Sequence, residues 1–364
     1  MIEIFKKLLS IKSIDWKENE KKRICDYVHS LFEDTWFYIE RFENNWIYSM
    51  VISSKWGKDF DFLFCWHLDV VDADEQTWKF DEDEEFYYWR WSLDMKWSCA
   101  VMIKSFLDNQ QTITNSEKNF ALMFTTDEEI WSNWGVNYLI NEIGFKADMV
   151  YIPDTWAWMN KYLKEWKGFI FSEINISWTE SHWCRPWRWS TALDTFVDFY
   201  DQLYKTFPRA SWDEDGWFAT PANIWIINWW EAFNKVMWNL TFKLDIRFNP
   251  QNSIEEIENK LNWLVSKFDN LECNIIQKFS WFSIDENSEY IRKYLDIVKN
   301  YYGQEITDEK EYWSNDGRFF APLTNDIIMT WPSWYWYHSV WEKVYKKDLY
   351  DFKEILDKYL DSLA

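Results

Sequence analysis

The chain reads as an α/β protein with a smaller α+β unit inserted in it, and two observations predict this. Strand-like apolar runs alternate with helix-like segments through the first half, and the middle switches to the order strand, helix, strand, strand, helix, strand. Asn19 to Phe32 has the spacing of an amphipathic helix. Asp61 to Val71 (DFLFCWHLDVV) is a mostly apolar run, the pattern of a parallel strand covered on both faces. Ser98 to Leu107 is helical in spacing, and Phe120 to Thr126 and Met149 to Pro153 are two more apolar runs. That alternation predicts a mostly parallel sheet with helices on both faces.

The middle segments follow in turn. Phe169 to Ser177 reads as a strand, Thr191 to Lys205 as a helix, and Asn223 to Asn228 and Leu240 to Arg247 as strands. Ser253 opens a helix with Glu256 three residues on, a capping box, and Cys273 to Gln277 closes the set as a strand. The βαββαβ order predicts a ferredoxin-like unit. Helices at Ser288 to Tyr302 and Asp351 to Leu360 return to the first style. The expected organisation is one domain from residues 1–168 and 284–364, interrupted by a second at 169–283.

Composition excludes several function classes. The net charge of -22 argues against binding a phosphate backbone, which needs clustered Lys and Arg, and fits a solvated acidic surface. There is no run of 18 apolar residues, so no membrane-spanning helix and no membrane partner are expected. The start, MIEIFKKLLSIKSIDW, has no apolar core or small-residue cleavage site of a secretory signal. Five scattered cysteines without a CxxC pair point to reduced thiols and a cytoplasmic protein. Against these ordinary features stands one anomaly: 31 Trp and only 7 Gly, where roughly 25 glycines would be usual.

Four histidines occur, and His29 lies in a helical segment as a structural residue. His67 and Asp69 follow the first apolar run as H-x-D, and Asp94 sits in RWSLDMKW. The second apolar run ends in Thr125-Thr126-Asp127-Glu128-Glu129 and the third in Pro153-Asp154. Acids at the carboxyl ends of successive strands converge on one crevice of an open α/β sheet. Imidazoles and several carboxylates together make the donor set of a pair of divalent metals. Of two adjacent glutamates, one can bind metal while the other works as a general base.

These motifs, in order, resemble the co-catalytic zinc family of acetylornithine deacetylases, succinyl-diaminopimelate desuccinylases, aminoacylases and glutamate-type carboxypeptidases. The resemblance runs through CWHLDVV, YWRWSLDMKWSCA, TTDEEIWSNWG, IPD, KGF, SHWCRPWRW, LDIRF, SNDGRFF and YHSVWE, nearly the whole chain. It implies a zinc-exopeptidase-like catalytic domain and an inserted lid and dimerisation domain. It also implies two divalent metal ions, zinc first, with cobalt or manganese as alternatives. Asp94 would bridge them, His67 and Asp154 would complete one site, and Glu129 and His338 the other. Asp69 would orient His67, Glu128 would be the general base for a metal-activated water, and His182 would steady the oxyanion. Arg247, Asn234 and Ser314 would bind substrate, an N-acyl amino acid or a short peptide. A homodimer is implied by the resemblance alone.

Many tryptophans stand where the family has glycine: Trp66 before His67, Trp89, Trp91 and Trp97 around Asp94, Trp131 after the glutamate pair, then Trp183, Trp189, Trp225, Trp229, Trp230 and Trp313. Trp78 and Trp187 instead match true family tryptophans. The expectation is a gene whose UGA codons mean glycine, read with a table in which they mean tryptophan. Some departures remain: Thr191 replaces a usual Asn, Asp81-Glu82-Asp83 replaces D-P-F, and Asp154 stands where part of the family has Glu. The leading expectation is a desuccinylase or deacetylase, with a dipeptidase or carboxypeptidase as the close alternative. An inactive binding module is the alternative from another class. The complete set His67, Asp94, Glu128, Glu129, Asp154 and His338 speaks against such decay.

Overall fold

A computed structural model describes residues 1–73, 80–88, 92–155, 160–182, 184, 188, 190–209, 216–229, 234–312, 314–330 and 342–364. Two compact units are present: Met1–Lys164 with Ile284–Glu309 and Asn315–Ala364, and Glu165–Ser283 with Lys310–Ser314.

The first unit opens with α1 (Ile2–Leu9), α2 (Glu18–Ser30), β1 (Tyr38–Asn44), β2 (Ile47–Ser53), β3 (Asp59–His67), β4 (Asp81–Glu82) and β5 (Phe86–Tyr88). It continues through α3 (Trp97–Asp108), α4 (Gln110–Asn115), β6 (Phe120–Thr125), α5 (Val136–Tyr138) and β7 (Lys146–Ile152). β8 (Lys161–Trp166) leads to the middle of the chain, where β9 (Gly168–Ser177), α6 (Ala192–Thr206), β10 (Ala222–Trp229), β11 (Asn239–Phe248), α7 (Ile254–Val265), β12 (Leu271–Phe279) and β13 (Phe282–Ser283) follow. The chain ends in α8 (Glu289–Tyr302), β14 (Thr307–Glu311), α9 (Gly317–Phe320), β15 (Ile327–Met329), β16 (Lys343–Tyr345) and α10 (Lys346–Leu363).

The main sheet has the order β1-β2-β6-β3-β7-β15, parallel from β6 to β15 and antiparallel at β1 and β2. All six residues of β6 (FALMFT) are buried, because helices cover both faces of a parallel sheet and leave no polar side. α10 packs on α3 and α8, burying Leu349, Phe352, Ile355, Leu356, Tyr359, Leu360 and Leu363 at helical spacing. Burying each such Leu, Ile or Phe is worth about 1.5–3 kcal/mol. Two further three-stranded sheets have the orders β13-β8-β14 and β16-β5-β4.

Strand β3 ends at His67, four residues before the end of its apolar run. Leu68 still donates its N–H to Thr125 O at 2.8 Å, but Val70 donates to Ser13 O instead, so the chain leaves the sheet at the histidine. β1 (YIERFEN) escapes sequence reading because it is a largely polar edge strand, whereas β2 (IYSMVIS) is a buried apolar run that the reading did not single out. α10 starts five residues before the expected Asp351; its first three residues, Lys346, Lys347 and Asp348, are charged, and the apolar stripe begins at Leu349.

The second unit is a four-stranded sheet, order β10-β11-β9-β12, antiparallel throughout, with α6 and α7 packed on it. That strand order is the ferredoxin-like arrangement of a βαββαβ chain. Both helices begin with a capping box, Thr191 with Asp194 and Ser253 with Glu256. In β11 every second residue is buried, so Leu240, Phe242, Leu244, Ile246 and Phe248 form the core with Phe199 and Leu261. All five cysteines are free, and no helix among the described residues is long and apolar enough to cross a membrane.

Candidate metal centre

The site begins at strand ends. His67 terminates β3 and is buried, held from behind by Asp69. Its Nδ1 lies 3.1 Å from the Asp69 carbonyl oxygen and 3.5 Å from the Asp69 carboxylate. A carbonyl only accepts, so this pattern assigns the proton to Nδ1 and turns Nε2, as donor atom, toward the site. Nε2 stands 3.1 Å from Asp94 Oδ1. The other Asp69 oxygen accepts from the N–H of Glu129 at 3.0 Å, so one carboxylate braces both the histidine and the glutamate turn.

That turn follows β6. Asp127 is fully buried and its Oδ2 accepts from the N–H groups of Trp134 and Gly135 at 2.8 and 2.9 Å. Its carbonyl takes the N–H of Ile130 and Ser132, closing a tight loop that presents Glu128 and Glu129. Gly135 is required here: a Cβ at that position would lie 2.1 Å from Asp127 Oδ1.

Asp94 precedes α3, and the Asp94–Met95 peptide is cis. Its N–H donates to Glu342 Oε1 at 3.3 Å. Asp154 lies just beyond β7, and its carbonyl accepts from the side-chain amide of Asn315. Donor atoms of His67, Asp94 and Asp154 all lie within 4.8 Å of one another. One imidazole and two carboxylates, all nearly shut off from solvent, are a fitting ligand set for a borderline or hard divalent cation.

Electrostatics agree with that chemistry. Burial, with Asp154 and Asp316 nearby, raises the Glu128 carboxyl well above the usual range despite His67 and Arg318. Burial and Asp94 do the same to Glu129. Burial alone would weaken the His67 imidazolium, yet Asp69 and Asp94 raise its pKa well above normal. These shifts share one cause, carboxylates crowded together away from water, and a bound cation would offset that negative charge.

The remaining expected residues are placed as follows. His182 is in the second unit, where it makes an isolated bridge with Lys235, and its Nδ1 accepts from the Cys184 N–H at 3.2 Å. Asn234 is exposed in the same unit. Arg247 packs 5.0 Å above the Phe169 ring, and its Nε donates to both Asp245 oxygens at 3.0 and 2.9 Å. Ser314 is half-buried at the edge of the second unit. His338 lies outside the described residues, as do Trp89, Trp91, Trp183, Trp189, Trp230 and Trp313. Sequence reasoning missed Glu342 and Asn315, whose contacts join residues 248 and 161 positions apart. The SNDGR stretch carrying Asn315 was the available signal.

Comparison with known proteins is consistent across sequence and fold. The succinyl-diaminopimelate desuccinylase of Wolinella succinogenes is 24% identical over 342 residues, covering 90% of each chain. An acetylornithine deacetylase of Buchnera aphidicola is 24% identical over 272 residues, 71% of this chain and 70% of its own. An M20 family metallo-carboxypeptidase from Sulfolobus solfataricus shares the fold with a TM-score of 0.78 at 13% identity, over 99% of this chain and 98% of its own. The profile of peptidase family M20/M25/M40 matches residues 63–362. With that match spanning most of its length, the chain belongs to this metal-dependent family and is a hydrolase acting on amide bonds.

Proposed function

We propose that the chain hydrolyses the amide bond of an N-acyl amino acid, in the manner of a succinyl-diaminopimelate desuccinylase or acetylornithine deacetylase, with two divalent metal ions. The observation that carries this reading is the convergence of His67, Asp94 and Asp154 beside a turn bearing two adjacent glutamates. His67, Asp94 and Asp154 would hold one ion, and Asp94, Glu129 and His338 the other. A metal held there supplies Lewis acidity, which makes water nucleophilic near neutral pH.

The chain's own residues do the rest. Asp69 keeps the His67 ring in one orientation and the Glu129 backbone in register with it. Glu128 takes a proton from the attacking water and hands it to the leaving amine nitrogen, so the amine departs neutral. His182 would steady the developing oxyanion, and Arg247, with Asn234 and Ser314, would bind the substrate carboxylate and flanking groups. Only Nε of Arg247 is taken by Asp245, which leaves its Nη groups for the substrate carboxylate. A homodimer, zinc as the resident metal, and a lid role for the second unit complete the reading.

The names of the relatives favour the acyl-amino-acid substrate over a peptide. The test is a panel of N-succinyl-diaminopimelate, N-acetylornithine and simple dipeptides, run with added zinc or cobalt. Turnover of one acylated amino acid at least tenfold above the dipeptides is expected. Preferential cleavage of dipeptides would overturn the substrate assignment in favour of a peptidase.

A further inference from the structure

The segment Asn315–Arg318 touches both walls of the metal centre from behind. Asn315 donates its amide to the Asp154 carbonyl, and its own carbonyl oxygen accepts from the Gly317 N–H at 2.9 Å. Asp316 accepts the hydroxyl of Ser132, and Arg318 Nη2 donates to the Trp131 carbonyl at 3.0 Å and to Ser132 Oγ at 3.4 Å. Arg318 Nη1 lies 4.0 Å from Asp316 Oδ1. Asn315, Asp316, Arg318 and Ser132 are all buried. Trp131 and Ser132 directly follow the Glu128–Ile130 turn and both have left-handed backbone, at φ 86° and 53°, which aims the Trp131 carbonyl at the guanidinium.

We propose that Asn315, Asp316 and Arg318 are positioning residues that set the spacing between the general base and the ligand Asp154, with Arg318 acting on the Glu128–Glu129 turn through Ser132. This rests on the function proposed above. A rigid backing for an active turn is worth more to the rate than to binding, because small displacements of a base or ligand cost alignment. Arg318→Lys keeps the positive charge but loses the guanidinium geometry that places Nη2 between the Trp131 carbonyl and Ser132 Oγ. It should lower kcat by about 10–100-fold with KM nearly unchanged, and weaken cobalt binding measured by calorimetry by a similar factor. Ser132→Ala, which loses its contacts to Asp316 and Arg318, is the milder variant, and combined with Arg318→Lys it should cost less than the sum of the two, since they share the Arg318–Ser132 contact. Glu128→Gln is the control. If it is inactive while Arg318→Lys and Ser132→Ala keep wild-type kcat and cobalt affinity, the positioning role is overturned and the function stands. If Arg318→Lys raises KM at constant kcat, Arg318 is a substrate contact instead. If Glu128→Gln remains active, the function itself fails.

A separate observation concerns the backbone. β1 and β2 pair with Asn44 opposite Ile47, so Asn45-Trp46 is a two-residue hairpin turn. Its φ values are 48° and 64°, the pair of positive angles for which Asn-Gly is the strongly preferred sequence. Trp131, at φ 86° and ψ 9°, matches the glycine after the turn at Leu139–Ile143, Gly144, at φ 88° and ψ 31°. A bulky side chain at such angles is a genuine outlier. Buried Trp66 and Trp97 also leave their indole N–H groups without an acceptor. We infer that positions 46 and 131 are glycine in the protein made by its own cell, with a UGA codon read as glycine. Peptide mass spectrometry of protein from that cell should find glycine at 46 and 131 and tryptophan at 78. Tryptophan at 46 and 131 would overturn the inference. As a second measurement on the recombinant chain, Trp46→Gly should raise the melting temperature by roughly 2–4 °C, and a fall would count against it.

Discussion

The two units share surface ion pairs but differ in how many acids they bury together. In the first, Asp69, Asp94, Asp127, Asp154 and Asp316 are buried around the ends of β3, β6 and β7, with buried His67, Lys96 and Arg318 near them. In the second, acids and bases neutralise one another near the surface. Arg247 lies against Asp245, both about one-fifth exposed, and Lys278 lies 2.6 Å from Glu258. Surface pairs of the second kind contribute about 0–1 kcal/mol each. A buried excess of carboxylates is expensive without a cation, and folds keep such a cluster where a bound ion offsets the cost. Crowded buried acids therefore mark the chemistry, and paired surface charge marks scaffold or substrate contact.

The strongest way to break that contrast is Glu128→Gln, which removes a proton acceptor from the cluster without changing its shape. It should reduce kcat by about 10³-fold while metal content per chain, read by atomic emission, stays at the wild-type level. Wild-type turnover would remove Glu128 from the mechanism.

Next in size is the link between metal and stability. A metal that binds only the folded chain adds about 2.7 kcal/mol at a concentration roughly 100-fold above Kd. Stripping the protein with a chelator should lower its melting temperature accordingly, and zinc should restore it. His67→Ala should abolish that zinc-dependent rise, and an unchanged rise would move the metal elsewhere.

The second unit supplies the smaller effects. Arg247→Ala should raise KM about tenfold or more at nearly constant kcat, as expected for a charged hydrogen bond of about 1.5–3 kcal/mol. A fall in kcat with unchanged KM would contradict its substrate role. Ser253→Ala removes the cap of α7 and should destabilise that unit by about 1 kcal/mol, seen in urea unfolding, without altering turnover. A lost activity there would show the two units to be less separable than their charge patterns imply.

Local chemistry made much of this legible. The capping box at Ser253 marked the start of α7, and the expected strands Phe169 to Ser177 and Leu240 to Arg247 fall within one residue of β9 and β11. H-x-D, D-E-E and P-D named the candidate acids because they end apolar runs, and the chain does turn out of the sheet at His67. Period and capping act over a few residues, so one sequence suffices to read them. What only the tertiary structure decided acts across the chain: that Asp94, Asp154 and His67 share one spot, that Glu342 reaches the Asp94 N–H, and that Asn315 and Arg318 brace two separate loops. The tryptophan excess divides the same way. Its mismatch with glycine motifs was visible in the sequence, but the left-handed backbone at Trp46 and Trp131 appears only once hairpin register and turn closure fix φ.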